Sequence, residues 1–154
     1  MKKNFKNDNR YIDAIDKQLI ELLNQNARTS VTELAKQVKM TAPSVNERLR
    51  KLEETGVISG YHVDINPERL GYTLVAIVRI RHHPGKAKEL EHLINLIPEC
   101  VECDKVTGDD CYIARLYLQN ISQLDPILEE IASIAETNTA IVKSTPIKRR
   151  LISI

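Results

Sequence analysis

Ser30-Val-Thr-Glu-Leu-Ala-Lys-Gln-Val-Lys-Met-Thr-Ala-Pro-Ser-Val-Asn-Glu-Arg-Leu-Arg-Lys-Leu52 is the stretch that decides the fold. Ser30 followed three residues later by Glu33 is a capping box, and Leu34, Ala35 and Val38 make one apolar face of a short helix behind it. Lys39-Met40 interrupts that period. Thr41 then caps a second helix with Pro43 in its first turn, where the missing N–H costs nothing. Val45, Leu49 and Leu52 form the buried stripe of this helix, and Gly56 ends it. Upstream, Asp13-Ala-Ile-Asp16 starts a longer helix carrying Ile15, Leu19, Leu22 and Leu23, which Asn26-Ala-Arg-Thr29 breaks. Two short helices joined by a tight turn over a longer one make a helix-turn-helix, whose last helix is the reader.

At 100° per residue, Pro43, Ser44, Asn46, Glu47, Arg50 and Lys51 lie away from the apolar stripe of the reader helix, with Arg48 at the border. Between Arg28 and Lys51 there are six basic residues and two acidic ones. Such an excess suits phosphate contact, because neutralised phosphates release condensed counterions. Ser44, Asn46, Glu47 and Arg50, near the helix start, are positioned to meet base edges in a major groove. Lys39, Thr41, Pro43, Arg48 and Lys51 complete the predicted DNA-binding set. Any amphipathic helix has a solvated charged face, so this pattern alone does not decide function. The β-rich continuation Gly56-Val-Ile-Ser-Gly-Tyr-His-Val-Asp64, placed like the wing of a winged helix, favours DNA.

The whole chain has 154 residues, 42% hydrophobic and 28% charged, enough for two small domains. Its 22 Lys+Arg against 21 Asp+Glu give a formal charge of +1. That average hides a split: residues 1–60 hold 11 basic and 8 acidic side chains, and residues 61–154 hold 11 and 13. Asymmetry of this kind points to a binding half and an assembly or regulatory half. Apolar runs such as Leu74-Val-Ala-Ile-Val78 fall far short of a membrane span, and Met1-Lys-Lys-Asn-Phe-Lys-Asn-Asp8 lacks the apolar core of a signal peptide. The expectation is a cytoplasmic, nucleoid-associated protein with no membrane partner and no cofactor.

The second half has a different period. Thr73–Arg81 reads as a strand and Gly85–Ile97 as a helix with Leu90, Leu93, Ile94 and Ile97 inward. Val101–Thr107 and Cys111–Leu118 read as strands about a Gly108-Asp-Asp110 turn. Ser122-Gln-Leu-Asp125 caps a helix carrying Ile127, Leu128 and Ile131, and Thr139–Ile147 closes as a strand. The order βαββαβ is the ferredoxin-like arrangement. Its helices cover one sheet face, yet the strands are apolar on both: Leu74, Ala76, Val78 and Ile80 against Val75 and Ile77, and Tyr112, Ala114, Leu116 and Leu118 against Ile113 and Tyr117. A monomer rarely exposes such a patch, so a homodimer formed sheet to sheet is predicted. The fold class is therefore α+β: a winged helix-turn-helix over 1–60 and a ferredoxin-like domain over 72–154 that dimerises through its sheet.

Several segments together resemble the Lrp/AsnC, or feast/famine, transcriptional regulators. In the first half they are Ile12-Asp-Ala-Ile-Asp-Lys-Gln-Leu-Ile-Glu-Leu-Leu23, Asn26-Ala-Arg-Thr-Ser30, Glu33-Leu-Ala35, Pro43-Ser-Val-Asn-Glu-Arg-Leu-Arg-Lys-Leu-Glu53 and Gly56-Val-Ile-Ser-Gly-Tyr61. In the second half they are Leu70-Gly71 and Thr107-Gly-Asp-Asp-Cys-Tyr112. The resemblance implies a sequence-specific DNA-binding regulator of double-stranded DNA, a homodimer assembling further to tetramers or octamers. It also implies a β-stranded linker over 61–71 and a small effector, commonly an amino acid, bound between C-terminal domains, which makes 72–154 an effector-binding and oligomerisation domain. On that pattern Thr107, Gly108, Asp109, Asp110, Cys111 and Tyr112 lie at the effector pocket. Two positions depart from the pattern. Relatives commonly carry Gly-Asp-Tyr-Asp where this chain has Gly108-Asp-Asp-Cys111, and a turn glycine where it has Lys39.

Two alternatives share the same residues. A ligand-independent DNA-wrapping protein would use several readers on one oligomer. A metal or thiol-redox sensor would use Cys100, Cys103 and Cys111 with His82 and His83. Against the sensor, Cys100 and Cys103 three apart on a regular strand point to opposite faces, and His82-His83 reads as a polar strand end. No nucleophile elbow, P-loop, HExxH motif or convincing acid–base pair is present, so no enzyme is expected.

Overall fold

The computed structural model describes residues 12–154; the reading of Met1–Asp8 and the start of the first domain lie outside them. Contacts divide the chain into two compact units. One runs through Asp64 and takes in Arg149–Ile154, and the other is Ile65–Lys148.

The first unit holds α1 (Ala14–Gln25), α2 (Val31–Gln37) and α3 (Ala42–Glu54). Each helix starts on the side chain the sequence offers. Asp13 accepts from the Ile15 and Asp16 backbone N–H groups, and Asp16 returns the bond to the Asp13 N–H, closing a capping box. Ser30 Oγ accepts from Glu33 N, and Thr41 Oγ1 from Ser44 N. Leu19, Leu23, Leu34, Ala35, Val38, Val45 and Leu49 are buried together, with Ile15, Leu22, Val31, Met40 and Ile58 packed on them. At roughly 1.5–3 kcal/mol for each fully buried Leu or Val, this cluster rather than helix propensity holds the three short helices.

Between α2 and α3 the backbone passes through Lys39 at φ +55°. Met40 N donates to Ala35 O and Lys39 N to Lys36 O, the paired bonds of a Schellman turn. Lys39 thus occupies the left-handed position that glycine takes without strain, at a cost on the order of 1 kcal/mol.

The wing is corrected by the structure: residues 56–66 form no strand. A strand is held by a ladder of backbone bonds, and the four strands of the sheet all lie between Leu74 and Ile141, none among the described residues of this unit. Val57, Tyr61, Val63 and Ile65 therefore stay exposed. The β-stranded linker at 61–71 is corrected likewise. It contains a 3-10 turn, Pro67–Leu70, capped by Asn66 and closed by Gly71 at φ +89°.

The second unit follows βαββαβ order: β1 (Leu74–His82), α4 (Ala87–Leu96), β2 (Cys100–Lys105), β3 (Tyr112–Leu118), α5 (Leu124–Ala132) and β4 (Ala135–Ile141). The sheet order is β2-β3-β1-β4, antiparallel throughout. Ala76, Val78 and Ile80 of β1 and Ala114, Leu116 and Leu118 of β3 share one buried face with Leu90 and Ile94 of α4 and Ile127 and Ile131 of α5. Val75, Ile77, Ile113 and Tyr117 lie on the other face, half-buried.

Boundaries shift where turn chemistry was misread. β4 starts four residues before the expected Thr139, because Ile134 N closes the end of α5 onto Ile131 O and Ala135 pairs with His82 at once. It ends before Pro146, which cannot donate to a ladder. Ser122 does not cap α5. Its hydroxyl turns to Asn120 Oδ1, and a 3-10 turn, Ile121–Gln123, leads into the helix instead.

Candidate functional site

The start of α3 is built to face outward. Thr41 and Ser44 hydroxyls hydrogen-bond at 2.8 Å, and Pro43 sits within the first turn. Lys39, Thr41, Pro43, Asn46, Glu47, Arg50 and Lys51 are exposed, and Ser44 is half-buried. Arg50 is held from both sides. Its Nε and Nη2 donate to the two Glu47 oxygens and its Nη1 to Glu54. The guanidinium keeps the Glu47 carboxyl below its usual range, and the two carboxylates hold Arg50 more firmly protonated than usual. Such exposed pairs are weak in water, so they orient the guanidinium without locking it away from a base or phosphate.

Arg48 is set apart from the rest of the predicted set by its partners. Its Nη1 donates to Asp13 Oδ2 and Asp16 Oδ1, each at 2.7 Å, with only 28% of the Arg48 side chain exposed. Arg48 thus ties the reader helix to the capped start of α1. The border position noted in the sequence was the available signal, since a residue between stripe and solvent reaches a neighbouring helix.

The loop from Thr107 to Tyr112 joins β2 to β3, with Gly108 at φ +116°. Val106 N donates to Cys111 O, and Cys111 N to Ile80 O, so the loop is pinned to β1. Arg81 Nε donates to the Asp109 carbonyl at 2.9 Å. Arg79 lies 3.8 Å from the Asp110 carboxylate and donates to Asn138 Oδ1 at 2.7 Å. The loop therefore offers a carboxylate beside two guanidinium groups, able to match the opposite charges of an α-amino acid. Arg79, Arg81 and Asn138 were missed in the sequence. Their signal was the alternation of β1, where Arg79 and Arg81 continue the outward face begun by Val75 and Ile77.

Tyr112 faces the core instead of the loop exterior, being 3% exposed. Its hydroxyl donates to Glu91 Oε1 at 2.7 Å, beside Lys105 Nζ at 2.8 Å. Lys105, then Tyr112, hold the Glu91 carboxyl low, while Glu91 pushes Lys105 up to about 12. This cluster joins α4 to the base of the loop.

The cysteines also need correction. A register shift between Cys100 and Glu102 places Cys100 opposite Leu116 and Cys103 opposite Ala114. Leu116 and Ala114 share a face, so the extra residue of the bulge brings both cysteines to the helix side. Burial pushes the Cys100 thiol up and the Cys103 thiol up to about 11. Both shifts run against thiolate formation, the opposite of the lowering that activates a reactive cysteine. Among the described residues no group of three His, Cys, Asp or Glu side chains is placed to hold a metal ion, and no helix is long and apolar enough to cross a membrane.

Residues 12–53 match the family model of the AsnC-type helix-turn-helix domain, and residues 75–152 that of the Lrp/AsnC ligand binding domain. The chain is 33% identical over 137 residues to the HTH-type transcriptional regulator FL11 of Pyrococcus horikoshii, covering 87% of this chain and 91% of that protein. The solved structure of B. subtilis LrpC is similar at TM-score 0.85 and 26% identity, covering 90% of this chain and 99% of that one. A feast or famine regulatory protein from M. tuberculosis complexed with L-methionine is similar at TM-score 0.84 and 28% identity, covering 92% and 99%.

Proposed function

The chain belongs to the Lrp/AsnC family of helix-turn-helix transcriptional regulators, and we propose that it reads double-stranded DNA through α3 under control of an amino acid bound at the Thr107–Cys111 loop. The observation that carries the DNA reading is the division of labour on α3. Arg48 fastens the helix to α1, while Ser44, Asn46, Glu47, Arg50 and Lys51 remain on its outward side. Ser44, Asn46, Glu47 and Arg50 meet base edges, and Lys39, Thr41, Pro43 and Lys51 address the backbone. Its members being transcriptional regulators, the family sets this activity apart from catalysis.

The effector reading is supported by the charge pattern of the loop. Asp110 receives the α-ammonium group, and Arg79, with the free N–H groups of the turn, receives the α-carboxylate. The relative solved with L-methionine supports the same ligand class. A homodimer forms by apposing the outward sheet faces at Val75, Ile77, Ile113 and Tyr117, and further assembly completes the effector pocket with a neighbouring subunit. Its working compartment is the cytoplasm, on the nucleoid.

The test combines mass measurement and DNA binding on one sample, using a duplex from the protein's own upstream region and a panel of amino acids. Salt-sensitive binding whose affinity or oligomer size moves with one amino acid is expected. Binding indifferent to every amino acid would remove the effector, leaving a ligand-independent DNA-bending protein. Absence of salt-sensitive binding would remove the DNA reading.

A further inference from the structure

The acidic balance of residues 61–154 is not uniform. Residues 61–136 hold seven basic and thirteen acidic side chains, whereas residues 137–154 hold four basic ones, Lys143, Lys148, Arg149 and Arg150, and no acid. The contacts of the chain group Arg149–Ile154 with the helix-turn-helix unit and not with the sheet that precedes them. Within this segment Leu151 and Ile154 are half-buried, while Arg149 and Arg150 are exposed. That is the arrangement of an anchored strip whose apolar residues hold and whose cations project.

Several cations of the described chain sit beside acids, whereas others, such as Arg28, Lys39, Lys51, Arg69 and Lys88, are exposed without an acidic partner among the described residues. Lys36 pairs with Glu33, Arg79 with Asp110, Lys86 with Glu89, Lys105 with Glu91 and Arg115 with Glu102. Among the described residues, no ion pair involves the 143–150 cations. A merely solvated surface is expected to mix signs, as the rest of this chain does. Arg149 and Arg150, the two of these cations grouped with the helix-turn-helix unit, are exposed with no acid in the segment around them, which suits a polyanion.

We propose that Arg149 and Arg150 form a second phosphate-contacting element of this protein, acting in addition to α3. The proposal rests on the DNA reading above and extends it to a segment outside the helix-turn-helix motif. Such contacts add affinity without reading sequence, because each neutralised phosphate releases counterions.

The test uses the full chain and a mixed-sequence duplex of about 30 base pairs, with binding measured by anisotropy from about 50 to 200 mM salt. Each lost phosphate contact lowers the slope of log K against log salt by about 0.9, so R149A/R150A should be shallower than wild type by about 1.8. R149K/R150K should keep the wild-type slope, since the contact is with a charge, and K86A/K88A should keep it as a control that removes two cations elsewhere. Elution volume should be unchanged in all three. An unchanged slope in R149A/R150A beside salt-dependent wild-type binding would overturn the proposal and leave the α3 reading intact. Equal flattening in K86A/K88A would overturn it as a net-charge effect. Wild-type binding without salt dependence would overturn both readings.

Discussion

Replacing Arg48 by methionine separates the support of the reader helix from its reading. Methionine keeps the unbranched stem and its packing but removes the guanidinium that donates to Asp13 and Asp16 at 2.7 Å. Asp13 is 49% exposed and Asp16 17%, so the two bonds are unequal. The Asp13 bond contributes as a surface pair, about 0.5 kcal/mol, and the more sheltered Asp16 bond about 1 kcal/mol. The sum, about 1.5 kcal/mol, is expected to lower the urea midpoint of the N-terminal unit by about 1.5 M for a slope near 1 kcal/mol/M. Amide exchange of α1 and α3 followed against urea isolates that unit from the sheet domain. Duplex affinity, measured where the variant remains folded, should change by less than about threefold. Arg50→Ala should show the reverse: an unchanged midpoint and an affinity loss of roughly tenfold to a hundredfold. If R48M leaves the midpoint in place while losing affinity as Arg50→Ala does, Arg48 touches DNA and its assignment as a tie between helices is wrong.

Lys39→Gly should relieve the left-handed strain at φ +55°, raising stability by up to about 1 kcal/mol, while weakening duplex binding through the lost cation; a denaturant midpoint no higher than wild type would refute the strain argument. The Asp13 carboxyl is held low first by the Asp16 backbone N–H and also by Arg48. Its contribution is therefore present above its unfolded value, about 3.9, and lost as pH falls through the lower folded value, because the unfolded state binds more protons there. The urea midpoint of the N-terminal unit should accordingly drop below about pH 4, less steeply in Asp13→Asn. Asp110→Asn should weaken amino-acid binding on the order of tenfold in a calorimetric titration, whereas Asp109→Asn, which engages Arg81 through its carbonyl, should not. Equal effects of the two would dissolve the distinction between them.

The helices were legible because their start signals are local. Asp13, Ser30 and Thr41 each bond to backbone groups two or three residues away, so the sequence contains the whole interaction. The strands of the second unit were legible as alternating faces, but β4 was set four residues late because its start depends on how α5 ends. The Gly56–Asp64 stretch shows the limit of β-branched composition: it states a preference for a ladder and cannot supply the neighbour that makes one. Arg48 and Tyr112 have contacts that the sequence does not disclose, for a related reason. Each carries a polar group where a surface role looked natural, and each finds its partner in a distant element, Arg48 in the start of α1 and Tyr112 in Glu91. Arg79 and Asn138 meet only because β1 and β4 pair, and no spacing rule joins residues 59 apart.

The bulge in β2 has a consequence beyond the cysteines. β2 is an edge of the sheet, and an edge is an open connector onto which another chain can add indefinitely. Here the register breaks between Cys100 and Glu102, and Glu102, Asp104 and Lys105 place charged side chains along the remaining length. An incoming strand would meet an interrupted ladder and pay for unpaired backbone groups at the break. This edge of the sheet is thereby steered away from the open-ended, fibrous growth that an unbroken edge invites.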